Sequence, residues 1–194
     1  MAHPFTPEQL DTIRAALLGS ARRHALSTGM RKTSLDMLTA EAGIAKSTFY
    51  KFYESKEMLF LEIAGMWEAD ILAAAASTLK QSEGLPGRQR AAAFVCAAFE
   101  HIRKLGVARF MREDLPLLGA LVSPQTAREH MLHSARSIFA ALRQAGIGFT
   151  MPEENVLPVI QLLYLSILNI DQFGEGYFPA LRTLVESACD RLVA

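Results

Sequence analysis

The chain has 194 residues, of which 51% are hydrophobic, with 20 Lys+Arg balanced by 20 Asp+Glu. That length holds one large domain, or a small domain fused to a larger one, with ample material for a core. A formal net charge of zero excludes a wholly basic nucleic-acid protein but leaves room for a locally basic one.

The N-terminal Met1-Ala2-His3-Pro4-Phe5 has no positive patch followed by an apolar run, so it does not read as a secretory signal. Thr6-Pro7-Glu8-Gln9 then offers a Thr N-cap, Pro at the first helical position and Gln at the third. Leu10, Ile13, Leu17 and Ala21 fall three or four apart and predict one buried stripe. Gly29 closes this helix. Two short helices are expected at 34–41 and 45–52, and a long one from Ser55 to Lys80. Ser82-Glu83-Gly84-Leu85-Pro86-Gly87 is a linker by composition. Further helices are expected over 88–105, 108–119, 124–145, 153–173 and 178–193, separated by Gly and Pro breaks. Pro158 lies near the start of one of them and predicts a kink or a delayed start. No segment alternates with period two, and no hairpin signal occurs. The fold class is therefore all-α.

The segment from Thr33 carries the functional signal. Thr33 with Asp36 three residues on resembles a capping box. Leu35, Leu38 and Ala42 recur on one face, Gly43 ends the helix, and Ile44 plugs the corner. In the next run, Ala45 to Tyr53, Phe49, Phe52 and Tyr53 share an inward face at about 100° per residue. Ser47, Tyr50 and Lys51 share the opposite face, flanked by Lys46 and Thr48. Hydroxyls and ammonium groups on such a face can donate to phosphates and to base edges in a major groove. A short helix, a Gly turn and a second helix with this face is a helix-turn-helix. Ser55 is the expected N-cap of the following helix, and its free N–H groups together with Lys56 make a candidate phosphate clamp.

Charge agrees weakly. The first 60 residues hold eight basic side chains (Arg14, Arg22, Arg23, Arg31, Lys32, Lys46, Lys51, Lys56) and six acidic ones (Glu8, Asp11, Asp36, Glu41, Glu54, Glu57), a net of +2. A weakly basic head on a weakly acidic body permits DNA binding by the head.

The run from Thr33 through Leu38-Thr39-Ala40-Glu41-Ala42-Gly43-Ile44-Ala45-Lys46-Ser47-Thr48-Phe49-Tyr50-Lys51-Phe52-Tyr53 to Glu54-Ser55-Lys56-Glu57 resembles the DNA-binding signature of the TetR family of transcriptional repressors. The resemblance implies a helix-turn-helix domain over 1–54 and a helical ligand-binding and dimerisation domain over 55–194. It implies a homodimer on a palindromic double-stranded DNA operator, released by a small-molecule effector whose identity it does not give. Carried onto this chain, it has Thr33 touching phosphate. Lys46, Ser47 and Thr48 approach bases or nearby phosphates, the Tyr50 hydroxyl bonds a phosphate, and Lys51 and Lys56 pair with the DNA backbone. Two positions depart from the family pattern. Ala45 stands where a capping Ser is common, and Thr39 where a small Ala often lets the helices approach.

The body is rich in Ala, Leu, Phe and Met. Met66, Trp67, Phe94, Phe99, Phe110, Met111, Phe139 and Tyr164 are candidates to line an apolar pocket, against the plainer reading of core packing. The stretch from Leu157 to Phe173 is apolar almost all round, so burial on more than one side is expected. With the last helix it suggests a four-helix dimer interface drawn from Leu162, Leu165, Ser166, Asn169, Leu181, Leu184, Val185 and Ala188. Gln161, Ser166 and Asn169 would need polar partners there.

Other function classes leave fainter marks. Glu129-His130-Met131-Leu132-His133 places two histidines at i, i+3, a spacing that can hold a metal, with His101 as a possible third ligand. A metal-sensing regulator, a helical metal-dependent enzyme and a protein-binding adaptor are the alternatives. No Gly-rich phosphate loop, nucleophile elbow or Cys/His signature occurs, so no cofactor and no enzymatic activity are expected. Cys96 and Cys189 lie far apart with no CxxC pair, which fits a reducing cytoplasmic setting. The longest apolar run, about 14 residues, is too short for a membrane span.

Overall fold

Thr6 starts the first helix in the computed structural model, which describes residues 5–121 and 136–194. Helix α1 runs Pro7–Leu26. Its capping box is complete: the Gln9 amide donates to Thr6 Oγ1 at 3.3 Å, and the Thr6 amide donates to Gln9 Oε1 at 2.9 Å. Its buried stripe starts later than expected. Leu17, Ala21 and Ala25 are sealed and Ile13 half-buried, whereas Leu10 is exposed.

Short helices α2 (Leu35–Glu41) and α3 (Lys46–Phe49) follow, then the long α4 (Lys56–Gln81). Ser55 caps α4 as expected, accepting the Met58 amide at 3.3 Å. The body continues with α5 (Gly87–Leu105), α6 (Ala108–Glu113), α7 (Leu115–Leu121), the described part of α8 (136–144), α9 (Glu153–Ile167) and α10 (Tyr177–Leu192). Among the described residues the one extended pairing is a single antiparallel bridge between Phe149 and Val193.

Two expected elements change, and one expected break does not occur. The helix drawn over 108–119 divides at Asp114, whose amide still donates to Phe110 O at 2.9 Å. The helix drawn to 173 stops at Ile167 and gives way to two 3₁₀ turns, Ile170–Gln172 and Gly174–Gly176. Pro158 neither delays nor ends α9, which begins five residues before it. Near a helix start, a missing N–H removes one early bond only.

The core is continuous from head to body. Helix α4 is its spine: Leu59, Phe60 and Ile63 are sealed near its start, Trp67 in its middle, Ala75 and Leu79 towards its end. Phe110 of α6 stacks against Phe60 (6.3 Å between ring centroids) and meets Trp67 edge-on at 5.2 Å. Helices α5 and α10 pack along the rest of the body.

Candidate nucleic-acid interface

Helix α2 is capped by Ser34, which accepts the Met37 amide at 3.2 Å. Thr33 is therefore not the cap. Its side chain is 1% exposed and its hydroxyl donates to Gly29 O at 2.8 Å. It is a shape-holding residue. The β-region backbone of an N-cap suits Ser and Thr alike, which is why the sequence placed the cap one residue early.

Gly43 makes the turn with φ +67°, a conformation that costs a Cβ-bearing residue more than glycine. Its amide donates to Ala40 O at 3.2 Å, and the Ile44 amide to Thr39 O at 3.0 Å. Thr39 is buried, but its hydroxyl donates back to Leu35 O at 3.0 Å. The departure at that position therefore strands no polar group. Ala45 takes the extended backbone of an N-cap with no side chain to cap α3.

The reading helix is brief. Regular α-helix covers Lys46–Phe49, and a tighter turn continues through Phe52, whose amide donates to Phe49 O at 2.9 Å. The division of faces holds over this stretch. Phe49 is 0% exposed and Tyr53 8%, with ring centroids 5.7 Å apart. Tyr50 is 59% exposed, Ser47 and Lys51 are exposed, and Thr48 is half-buried beside them. Lys51 Nζ lies 5.3 Å from the Phe5 ring centroid. Lys46 Nζ pairs with Asp36 Oδ1 at 2.6 Å, which ties the start of α3 to the start of α2.

Glu41 fixes α2 on α1. One carboxylate oxygen accepts from Arg23 at 2.7 Å and Ser20 Oγ at 2.8 Å; the other meets His24 Nε2 at 2.8 Å. Hydrogen bonding from Arg23 first, then Ser20 and His24, holds the Glu41 carboxyl down to about 2.

The corner between α1 and α2 is gripped from beneath. Lys56 Nζ donates to Met30 O at 3.1 Å and Thr33 O at 2.7 Å. Its ammonium is thus engaged inside the head, where it secures the corner. From the body, Arg109 donates to Ser27 O at 2.5 Å, and Asp114 accepts the Met30 amide at 3.0 Å. Arg112, one turn along α6 from Arg109, donates to Leu168 O at 2.7 Å at the end of α9.

The body residues chosen from sequence separate by environment. Trp67, Phe94, Phe99, Phe110 and Phe139 are at most 4% exposed and pack in the interior, whereas Met66 is exposed. Tyr164 and Met111 are half-buried, and burial pushes the Tyr164 phenol up to about 12. None of these lines the body cavity of about 300 Å³ between α5 and α10, bounded by Cys96, Glu100, Phe178, Pro179, Leu181 and Arg182. Among the expected interface residues, Leu162, Leu165 and Leu184 are more than half exposed, a bare apolar face on α9 and α10. Leu181 and Val185 are sealed inside the protomer and belong to its core instead, because they lie on the face of α10 turned to α5. Ser166 bonds Tyr177 Oη at 2.8 Å, Asn169 Nδ2 donates to Leu165 O at 3.0 Å, and Ala188 is half-buried. Both cysteines are free thiols, and burial pushes Cys189 up to about 11.

Residues 17–63 match the family model described as bacterial regulatory proteins, tetR family. The match runs from the middle of α1 into α4 and takes in the whole of α2 and α3. No curated protein matches the chain in sequence. Solved structures of TetR-family regulators are similar to it in fold over most of its length. One from Marinobacter aquaeolei superposes with a TM-score of 0.65 at 18% identity, covering 97% of this chain and 99% of that one. One from Streptomyces coelicolor gives 0.65 at 17% identity over 95% and 80% of the two chains. A third, from Rhodococcus sp. RHA1, gives 0.62 at 15% identity over 94% and 96%. The metal-sensing alternative gains no support from these TetR-family matches. His130 and His133 lie outside the described residues, and among the described residues no group of three His, Cys, Asp or Glu side chains could hold a metal. No described helix is long and apolar enough to cross a membrane.

Proposed function

We propose that this TetR-family chain is a sequence-specific DNA-binding transcriptional regulator, a cytoplasmic homodimeric repressor released from a palindromic operator by a small molecule. The observation that carries the reading is the split of the α3 segment into a sealed aromatic side, Phe49 with Tyr53, and an exposed polar side, Ser47, Tyr50 and Lys51. The sealed side fixes the segment on the head, and the exposed side is small enough to enter a major groove.

Ser47 and Thr48 face base edges in this reading. The Tyr50 hydroxyl and the Lys51 ammonium contact phosphates, which sets register without reading sequence. Lys46 reaches DNA by leaving Asp36, and exposed pairs of that kind are worth at most about 1 kcal/mol. Leu162, Leu165 and Leu184 meet their counterparts in a second copy, which sets two reading helices about 34–36 Å apart. The effector binds the body, whose α6 touches the α1–α2 corner of the head through Arg109 and Asp114.

Retardation of the DNA upstream of its own gene tests the reading. Binding should be specific, fall steeply with salt, and require two half-sites. A protein that binds neither that DNA nor random duplex at low salt would be some other kind of helical module.

A further inference from the structure

The eight basic side chains of the head are not equally available. Arg14 pairs with Glu62 at 2.6 Å, Arg22 with Asp70 at 3.7 Å, Arg23 with Glu41 at 2.7 Å and Lys46 with Asp36 at 2.6 Å. Lys56 is held by the carbonyls of Met30 and Thr33. Arg31, Lys32 and Lys51 remain, all exposed and without an acidic partner among the described residues. A phosphate must displace a carboxylate to reach the first four, whereas Lys51 has only the Phe5 ring face to leave and Arg31 and Lys32 have no such partner among the described residues.

Arg31 and Lys32 stand side by side between Gly29 and the Ser34 cap. Surface connections of this kind are usually mobile, but this one is pinned from the inside. Met30 N–H is bound by Asp114, Met30 O and Thr33 O by Lys56, and Gly29 O by the Thr33 hydroxyl. Holding the backbone still lowers the ordering cost of using its side chains in binding. The pair also directly precedes the α2 N-terminus, which is tied to the start of α3. Ser34 caps α2, and Asp36 in the first turn of α2 touches Lys46 at the start of α3.

We propose that Arg31 and Lys32 are a phosphate anchor for duplex DNA, set just before the α2 N-terminus and held in place by the Asp114 and Lys56 clamp. The proposal rests on the DNA-binding reading and adds two residues that the helix-turn-helix pattern does not supply. Contacts of this type position the protein and carry no base information.

The test is fluorescence anisotropy with a labelled 30-base-pair random-sequence duplex, titrated at several KCl concentrations. Each phosphate contact contributes about 0.9 to the slope of log affinity against log salt. Arg31→Ala with Lys32→Ala should therefore reduce the slope by roughly 1.8 per protomer, roughly 3.6 for a dimer with both heads engaged, and weaken binding at about 50 mM salt by at least roughly a hundredfold. Arg31→Gln with Lys32→Gln, which keeps the stems, should give the same loss. Lys80→Ala with Lys104→Ala, two exposed cations outside the head, removes the same charge and should leave the slope unchanged. The anchor is overturned if either corner pair keeps the parent's slope, or if the control pair falls as far. If the parent binds no duplex even at about 20 mM salt, the DNA-binding reading itself fails and the anchor falls with it.

Discussion

The Asp114 carboxylate, between α6 and α7, accepts the amide N–H of Met30 at 3.0 Å across 84 residues of sequence. Both residues are nearly sealed, Asp114 at 5% and Met30 at 2% exposure. This is where the body takes hold of the head. Gly29 beside it has φ +82°, and a Cβ there would lie 3.2 Å from Asp114 Oδ2. The positive φ favours glycine, and any side chain there would need Asp114 to give by a few tenths of an ångström.

Removing that acceptor leaves a buried donor unpaired, which costs about 1–3 kcal/mol. Asp114→Ala should lower the thermal midpoint by roughly 2–4 °C per kcal/mol. Asp114→Asn keeps a carbonyl oxygen for Met30 and should lose clearly less. Equal losses in the two variants would place the role of Asp114 elsewhere. Calorimetry on both decides it.

Glu41 sets an acid limit. Its carboxyl is depressed from 4.5 to about 2 in the folded chain, chiefly by Arg23. A depressed acid stabilises the fold above its unfolded value and loses that contribution as pH falls towards its folded value. The midpoint should be insensitive to Glu41 protonation above pH 4.5 and decline between pH 4.5 and about 2. Glu41→Gln should show a shallower decline over that window. Parallel profiles for parent and variant would refute the role assigned to the cluster.

Ala45 leaves α3 without a side-chain cap, although its backbone (φ −77°, ψ 154°) is that of an N-cap. Ala45→Ser should add about 1 kcal/mol, seen as a midpoint roughly 2–4 °C higher. An unchanged midpoint would mean that water already satisfies the first turn equally well.

The exposed Leu162, Leu165 and Leu184 should be covered by a second copy. Each leucine fully buried contributes up to about 1.5–3 kcal/mol, so Leu162→Glu with Leu184→Glu should turn a dimer into a monomer in sedimentation equilibrium. A parent that sediments as a monomer at micromolar concentration contradicts this use of the face.

Much of the helical frame was legible because its signals are local. The Thr6 capping box, the Ser55 cap, the Gly43 turn and the opposed faces of Phe49 and Tyr50 each depend on residues a few positions apart. What the sequence hid depends on distance. Pro116 marks the break between α6 and α7 locally, but nothing near Asp114 points to Met30. Lys56 looked like a surface cation because its partners are backbone carbonyls, which carry no residue signature. Leu181 and Leu184 both fit an apolar stripe on α10, and only packing against α5 separates the sealed one from the exposed one. Arg31 and Lys32 were visible as charge, but their freedom appears only once the pairing of the other cations is known.

The central claim is that the exposed side of the α3 segment reads DNA while its buried side only holds it. Tyr50→Ala with Lys51→Ala alters exposed groups outside the core. Measured against upstream DNA at fixed salt, this variant should lose tenfold or more in affinity, on the order of 1.4 kcal/mol, with an unchanged thermal midpoint. Parent-like affinity in a folded variant would contradict the account.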